Sequence, residues 1–129
     1  IEDWRKLIAF APQVPFLFST TVRENVMMSN ADIDKDTADA LMDEFGILNL
    51  ADRYIDSDSK LSGGEKQKIS VIRALLKESE VLILDEPSNH LDQNSINILK
   101  EYISRTPKTV ILISHDPSLL DIADRTVQV

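Results

Sequence analysis

The sequence has no cysteine, only three glycines and no long apolar run. Without cysteine, disulfide bridges and thiolate metal sites are both excluded. The longest apolar stretches, such as Val81–Leu84 and Val110–Ile113, are far shorter than the roughly 20 residues that a bilayer-spanning helix needs. No signal peptide is visible. The residues themselves therefore offer neither a disulfide scaffold nor a membrane span.

Basic residues are fewer than acidic ones. Lysine and arginine together number 14, against 22 aspartates and glutamates, so the net charge is −8. This balance argues against nucleic-acid binding, which needs a basic face, and acidity by itself indicates mainly solubility. With 43% hydrophobic and 28% charged residues among 129, the chain has the composition of one globular domain or a piece of one.

Apolar runs and helical patterns alternate along the second half of the chain, which indicates an α/β fold with a parallel sheet. The predicted strands are Leu7–Ala11, Val81–Leu84, Thr109–Ile113 and Thr126–Val129. The predicted helices are Thr21–Met28, one that Asp34 or Asp36 caps and Gly46 stops, Gly63–Glu78, Asn94–Ser104 and Pro117–Ala123.

The stretch Thr21–Leu61 carries helical patterns but no strand pattern, which predicts a helical subdomain inserted into the α/β core. The long helix that follows should bury the side that carries Ile69, Ile72, Leu75 and Leu76. We expect a single partial domain over residues 1–129, with the helical subdomain at about 20–78 and the core at 1–19 and 79–129.

Two carboxylates directly follow a strand predicted to be buried on both faces. Val81–Leu84 runs into Asp85 and Glu86, and ligands of open α/β sheets bind at the carboxyl ends of strands. Asp85 suits Mg²⁺, which prefers oxygen ligands and keeps several waters, and Glu86 suits a general base that polarises water. The alternative is that the acidic pair only caps the next helix.

Two further polar residues follow predicted strands. His115 comes just after Thr109–Ile113, so it falls at the same edge of the sheet, where it could reach a γ-phosphate. Gln13 comes just after the first strand, where it could contact Mg²⁺ or the attacking water. Each residue taken alone is more often a structural or surface residue.

A glycine pair opens the longest predicted helix, within Leu61–Glu65. Paired glycines let backbone N–H groups approach an anion closely, and a helix amino terminus adds a partial positive charge of about half an electron. Ser62 adds a hydroxyl donor. The alternative is an ordinary serine N-cap after a loop.

In this order and at these separations, the motifs resemble those of the ATP-binding cassette family. Gln13 matches the Q-loop, and Leu61–Glu65 matches the signature motif. Val81–Glu86 matches Walker B with its catalytic glutamate, Ser88–Asp92 matches the D-loop, and His115 matches the H-loop. The resemblance covers essentially the whole chain and implies a partial P-loop NTPase-type parallel sheet with an inserted α-helical (signature) subdomain.

The resemblance also implies an ATPase with ATP and Mg²⁺ as cofactors. Asp85 would position Mg²⁺, Glu86 the attacking water, and His115 the γ-phosphate. Gln13 would contact the metal or the water and link the site to a transmembrane domain. Such a cassette would lie at the cytoplasmic face of the cell membrane.

In the family, two cassettes close head to tail around two ATP molecules, so the resemblance implies a second cassette as partner. The signature residues Ser62, Gly63 and Gly64 would bind the γ-phosphate of the partner's ATP. Asp92 would communicate between the two sites. Direct nucleic-acid binding is not expected.

The family's phosphate-binding loop, Walker A or G-x-x-x-x-G-K-[ST], has no match in this sequence. Its only glycines are Gly46, Gly63 and Gly64, and no Gly-Lys-Ser/Thr occurs. Walker A precedes the Q-loop in the family and would lie before Ile1. We therefore expect a C-terminal part of a cassette; the alternative is a natural protein without Walker A.

Two segments bear on the branch of the family. Phe16–Asn25 resembles exporter cassettes, in which this segment faces the coupling helices of the membrane domain. Asn89–Asp92 instead resembles soluble cassette proteins that act on ribosomes. Because the first segment is longer and more specific, export is the favoured function and a ribosome-associated ATPase is the alternative.

The missing loop leads to a prediction about nucleotide affinity. Because Walker A would supply most phosphate contacts, the 129-residue chain should bind Mg·ATP only weakly and hydrolyse it negligibly. Isothermal titration calorimetry with Mg·ATP checks this, and a dissociation constant in the micromolar range would contradict it.

Overall fold

The sheet consists of three parallel strands in a computed structural model that describes residues 4–58 and 60–127. The strands are β1 (Ile8–Ala11), β2 (Val81–Asp85) and β3 (Thr109–Ile113), in the order β1-β2-β3. All three were predicted from apolar runs, and the predicted α/β class with a parallel sheet is confirmed. Parallel pairing places the carboxyl ends of the strands at one edge, with Asp85 of β2 opposite Ile113 of β3.

Five α-helices accompany the sheet within the described residues. Two short 3₁₀ turns lie at Trp4–Lys6 and Leu48–Leu50. The helices are α1 (Val22–Met27), α2 (Lys35–Glu44), α3 (Gly63–Leu76), α4 (Gln93–Arg105) and α5 (Pro117–Leu120).

The ends of α2 show why this segment folds as the sequence predicts. Asp34, rather than Asp36, caps the helix, since its carboxylate accepts the N–H of Thr37 at 2.7 Å. At the other end Gly46 adopts φ +77°, a backbone conformation that costs glycine little. The N–H of Ile47 then donates to the carbonyl of Met42 at 2.9 Å, which closes the helix in a Schellman motif.

Helix α3 is the centre of the packing. It contacts α1 and α2 on one side and β1 and β2 on the other. The predicted stripe of Ile69, Ile72, Leu75 and Leu76 is buried. A second buried stripe lies across the helix axis from it and carries Gln67, Val71 and Ala74. Because both stripes are covered, α3 has few positions that face solvent.

The two faces of the sheet differ in burial. Ala9, Ala11, Leu82 and Leu84 point into the core and are almost fully buried. On the opposite face, Phe10 is 54% exposed and Ile111 and Ile113 are each 48% exposed. Successive side chains of a strand alternate between faces. Each apolar strand therefore places some of its side chains on the buried face of the sheet and the others on the exposed face.

Most predicted boundaries differ from the structure by at most one residue, but two helix ends and the last predicted strand differ by more. Helix α3 ends at Leu76 rather than Glu78, since Lys77 already has extended ψ of 132°. Helix α5 ends at Leu120 rather than Ala123, and Asp121 is its C-cap. The predicted strand Thr126–Val129 is wrong for Thr126 and Val127, which pair with no strand in the described part of the chain, and its last two residues lie outside that part. A short β-branched run needs a neighbouring strand before it can form a ladder.

No helix within residues 4–58 and 60–127 combines the length and apolarity of a bilayer-crossing segment. The division into a helical subdomain and a core stays a prediction, because α3 packs with both the helices and the strands.

The asymmetry of burial predicts a stability difference between two leucines. Leu82 in β2 is fully buried and Leu48 is 36% exposed. Leu82→Ala should lower the free energy of unfolding by about 2–5 kcal/mol, because it leaves a cavity in the core. Leu48→Ala, the matched control, should cost less than about 1 kcal/mol. Urea denaturation followed by circular dichroism measures both, and equal costs would contradict this account of the core.

Candidate functional site

The candidate site starts where β2 ends. Asp85 is the last residue of the strand, and Glu86 follows it with φ +48°. This left-handed conformation is uncommon for a residue with a side chain. The N–H of Glu86 donates to the carbonyl of Ile113 at 2.7 Å, so the β2–β3 pairing extends one residue past the strand. Glu86 is thus fixed at the edge of the sheet.

Glu86 and His115 meet at this edge. The Oε1 atom of Glu86 lies 3.4 Å from Nε2 of His115. The Glu86 side chain is only 12% exposed, whereas that of His115 is 97% exposed. The carboxylate is therefore partly shielded from water, whereas the imidazole beside it is open to solvent. The structure brings these two predicted site residues together.

Gln13 and Asp85 lie at the same edge but take less specific positions. Gln13 is exposed and follows β1 by two residues, and Ala11 at the end of β1 pairs with Leu84 of β2. Asp85 is half-buried. The neighbouring strands thus present an amide, two carboxylates and an imidazole at adjacent carboxyl ends.

Ser62 caps α3 in a reciprocal capping box. Its hydroxyl oxygen accepts the N–H of Glu65 at 3.0 Å, and the N–H of Ser62 donates to Oε1 of Glu65 at 2.8 Å. The ordinary N-cap role is therefore present. It uses the oxygen of Ser62 as acceptor and leaves the hydroxyl hydrogen available to a ligand, so capping and anion binding are compatible at this residue.

The loop after Glu86 packs onto the amino end of α3. A Cβ atom added to Gly64 would lie 2.7 Å from the carbonyl oxygen of His90, and one added to Gly63 would lie 3.5 Å from the His90 ring. His90 itself has φ +64°. The glycine pair thus serves a packing need in addition to the predicted approach of an anion: Gly64 lets the backbone of His90 come close.

Asp92 closes this loop and ties it to α3. One of its oxygens caps α4 by accepting the N–H of Ser95 at 2.8 Å, and the other lies 3.0 Å from Nζ of Lys68. Hydrogen bonding from Ser95, together with the Lys68 ammonium, lowers the pKa of Asp92 to about 2. Asp92 is therefore ionised at neutral pH and holds its loop against α3.

Gln67 and Lys68 at this site were not predicted, and His90 was predicted only as part of the D-loop, Ser88–Asp92. Gln67 was detectable in principle, since it lies four residues before Val71 and seven before Ala74, on the second buried stripe of α3. The capping box was also readable from the spacing of Ser62 and Glu65. No local sequence pattern indicates the contacts that Lys68 and His90 make, because these contacts join segments that are distant in sequence.

The donor set fits a magnesium ion that keeps most of its waters. No three His, Cys, Asp or Glu side chains converge as a ready metal site within the described ranges. Mg²⁺ is typically held by one or two carboxylates together with substrate phosphates and water. Asp85 can supply such a carboxylate, and the remaining ligands would come from a phosphate and from water.

Comparison with known proteins shows which family the chain belongs to. The model of the ABC transporter family matches residues 1–89. The chain belongs to the ABC transporter family. Family membership implies nucleotide binding and agrees with the parallel sheet; the signature and Walker B assignments stay predictions.

Individual members of the family show the same likeness over most of the chain. Mating factor M secretion protein mam1 of Schizosaccharomyces pombe is 38% identical over 124 residues, covering 88% of this chain and 9% of the relative. Multidrug resistance protein 1 of Plasmodium falciparum is 32% identical over 140 residues, covering 98% of this chain and 10% of the relative. The chain thus spans about a tenth of each relative's length.

A solved structure agrees with the fold. A bacterial Atm1-family ABC exporter with ATP bound superposes with a TM-score of 0.78 at 25% identity, over 90% of this chain and 22% of that one. The chain therefore has the fold of a part of the nucleotide-binding domain of an ABC exporter.

The packing at α3 predicts different outcomes for alanine substitutions of the two glycines. Gly64→Ala should lower the free energy of unfolding by about 1–3 kcal/mol, because the new methyl group collides with backbone that must shift. Gly63→Ala, the matched control, meets only ordinary contacts and gains helix propensity, so its stability should stay within about 1 kcal/mol of the parent. Urea denaturation compares the two variants. Equal stabilities would show that the loop and α3 are not packed this closely.

Proposed function

We propose that the chain is the C-terminal part of an ATP-hydrolysing cassette of an ABC exporter. The observation that carries the proposal is the pair formed by Glu86 and His115 at the edge of the sheet. A partly shielded carboxylate is suited to accept a proton from an attacking water. The imidazole beside it is exposed and can turn to a phosphate oxygen.

The roles of the site residues follow from their places at the sheet edge. Glu86 polarises the water, and His115 donates a hydrogen bond to the γ-phosphate. Asp85 holds Mg²⁺ through water, and Gln13 reaches the metal or the water from the end of β1. When bound, Mg²⁺ neutralises charge on the phosphates. Positioning and electrostatic stabilisation then account for most of the catalysis, as in other phosphoryl transfers.

A second cassette completes the site in this proposal. Ser62, Gly63 and Gly64 at the amino end of α3 bind the γ-phosphate of the ATP held by the partner cassette. The helix dipole and the available hydroxyl hydrogen of Ser62 support this role. Asp92 is ionised and paired with Lys68. In this proposal it couples the two ATP sites of the dimer through the loop that it anchors.

An exposed aromatic pair supports a transmembrane domain as the second partner. Phe16 is 62% and Phe18 44% exposed, and their rings meet edge to face with centroids 5.0 Å apart. Arg73 lies over the Phe18 ring at 5.7 Å. Exposed apolar clusters mark interaction surfaces, so this segment would dock on the membrane domain at the cytoplasmic face.

The function is tested by Glu86→Gln in the full-length protein. Removing the general base should lower ATP turnover by about 100-fold or more while Mg·ATP binding is kept, so an ATP-bound dimer should accumulate. Phosphate release gives the turnover, and size-exclusion chromatography with Mg·ATP detects the dimer.

Glu80→Gln is the matched control, because Glu80 is exposed and precedes the amino end of β2. Its turnover should equal that of the parent. Unchanged turnover in Glu86→Gln would refute the assignment of Glu86. Co-sedimentation of the parent with ribosomes rather than membranes would favour the ribosome-associated alternative.

A further inference from the structure

Gln67 is a polar side chain in the core of the molecule. It lies one turn into α3 and is only 1% exposed. Burying a primary amide is costly unless its polar atoms find hydrogen-bond partners. The Nε2 atom donates to the carbonyl of Pro87 at 3.1 Å and, at a longer 3.5 Å, to that of Glu86. Both partners are carbonyl oxygens, which only accept, so the orientation of the amide is fixed.

The two residues that Gln67 contacts form the turn that presents the candidate general base. Glu86 has the uncommon left-handed φ of +48°, a conformation that persists only when the surroundings hold it. On its amino side, the N–H of Glu86 is held by Ile113 at 2.7 Å. On its carboxyl side, the carbonyls of Glu86 and Pro87 are held by the Gln67 amide.

We propose that Gln67 is a positioning residue for Glu86. It acts through the main chain: the amide fixes the peptide unit after Glu86, so that the carboxylate stays at the sheet edge beside His115. This inference rests on the proposed function, since it assigns Gln67 a role in the same hydrolysis.

Gln67 also lies between the Glu86 turn and the residues proposed to bind the ATP of the partner cassette. Ser62, Gly63 and Gly64 form the amino end of the helix that carries Gln67 one turn further on. If a bound phosphate shifted that end of the helix, the Gln67 side chain would transmit the shift to the Glu86 turn. The capping end of α3 and the catalytic carboxylate are thus mechanically joined by the Gln67 amide.

The test uses Gln67→Met in the full-length protein, because methionine has a similar length and cannot donate. The turnover number for ATP should fall by about tenfold or more, as expected when a reacting group is misplaced by a fraction of an ångström to one ångström. The KM for ATP should stay within about threefold, because Gln67 contacts the Glu86 turn only at main-chain carbonyls and is not proposed to touch the nucleotide.

Ser70→Ala is the matched control. Ser70 is buried on the same helix, and its hydroxyl has no hydrogen-bond partner among the described residues. Turnover of this variant should stay within about twofold of the parent, which separates a specific effect of Gln67 from a general disturbance of α3.

A double variant decides the route of the effect. If Gln67 acts through Glu86, Gln67→Met combined with Glu86→Gln should hydrolyse ATP no more slowly than Glu86→Gln alone in single-turnover measurements. A multiplied loss would overturn the positioning role, as would normal turnover in Gln67→Met. Variants that fail to fold, or that lose ATP binding together with turnover, would assign Gln67 to core stability and overturn it too. If the Gln67 predictions fail while Glu86→Gln is inactive, the positioning role is wrong but the proposed function stands.

Discussion

The parallel pairing of β2 with β3 is the constraint on which the rest of the site depends. It sets Asp85 opposite Ile113 and, one residue later, holds the backbone of Glu86 by a hydrogen bond from its N–H to Ile113. That bond keeps Glu86 in a conformation that it would otherwise rarely adopt. His115 continues from the same strand that supplies the acceptor, so one pairing sets the positions of both groups of the Glu86–His115 pair.

Helix α3 connects this edge to the signature motif. Its amino end is capped by Ser62 and lies under the backbone of His90, and its next turn supplies Gln67 and Lys68. Gly64, Gln67 and Lys68 each contact the loop that runs from Glu86 to Asp92. The loop is therefore held by steric fit, a hydrogen bond and an ion pair at successive points, and these leave it little freedom to move independently of α3.

Much of this architecture was predictable from sequence because it follows from local patterns. Apolar runs identified all three strands, and helical periodicity identified the buried side of α3. The edge placement of Asp85, Glu86 and His115 followed from a rule about parallel sheets. The ends of α3 and α5 and the status of Thr126 and Val127 depend on capping and strand partners, which a short pattern does not specify.

What sequence did not provide is the set of contacts between the loop and α3. The φ of Glu86 and of His90 is imposed by surrounding structure, and no propensity of glutamate or histidine suggests it. Lys68 meets Asp92 across 24 positions of sequence. Gln67 was visible only as a polar residue in an apolar stripe, a pattern that shows a partner is needed without saying which one.

The open face of the sheet has a consequence for how copies of the chain behave together. Ile111 and Ile113 put apolar area on β3, which is an edge strand among the described residues, and such edges favour intermolecular strand pairing. The net charge of −8 opposes this by mutual repulsion at neutral pH. That repulsion fades as the pH approaches the isoelectric point near 4.6. The colloidal stability of the isolated chain therefore depends on its net negative charge.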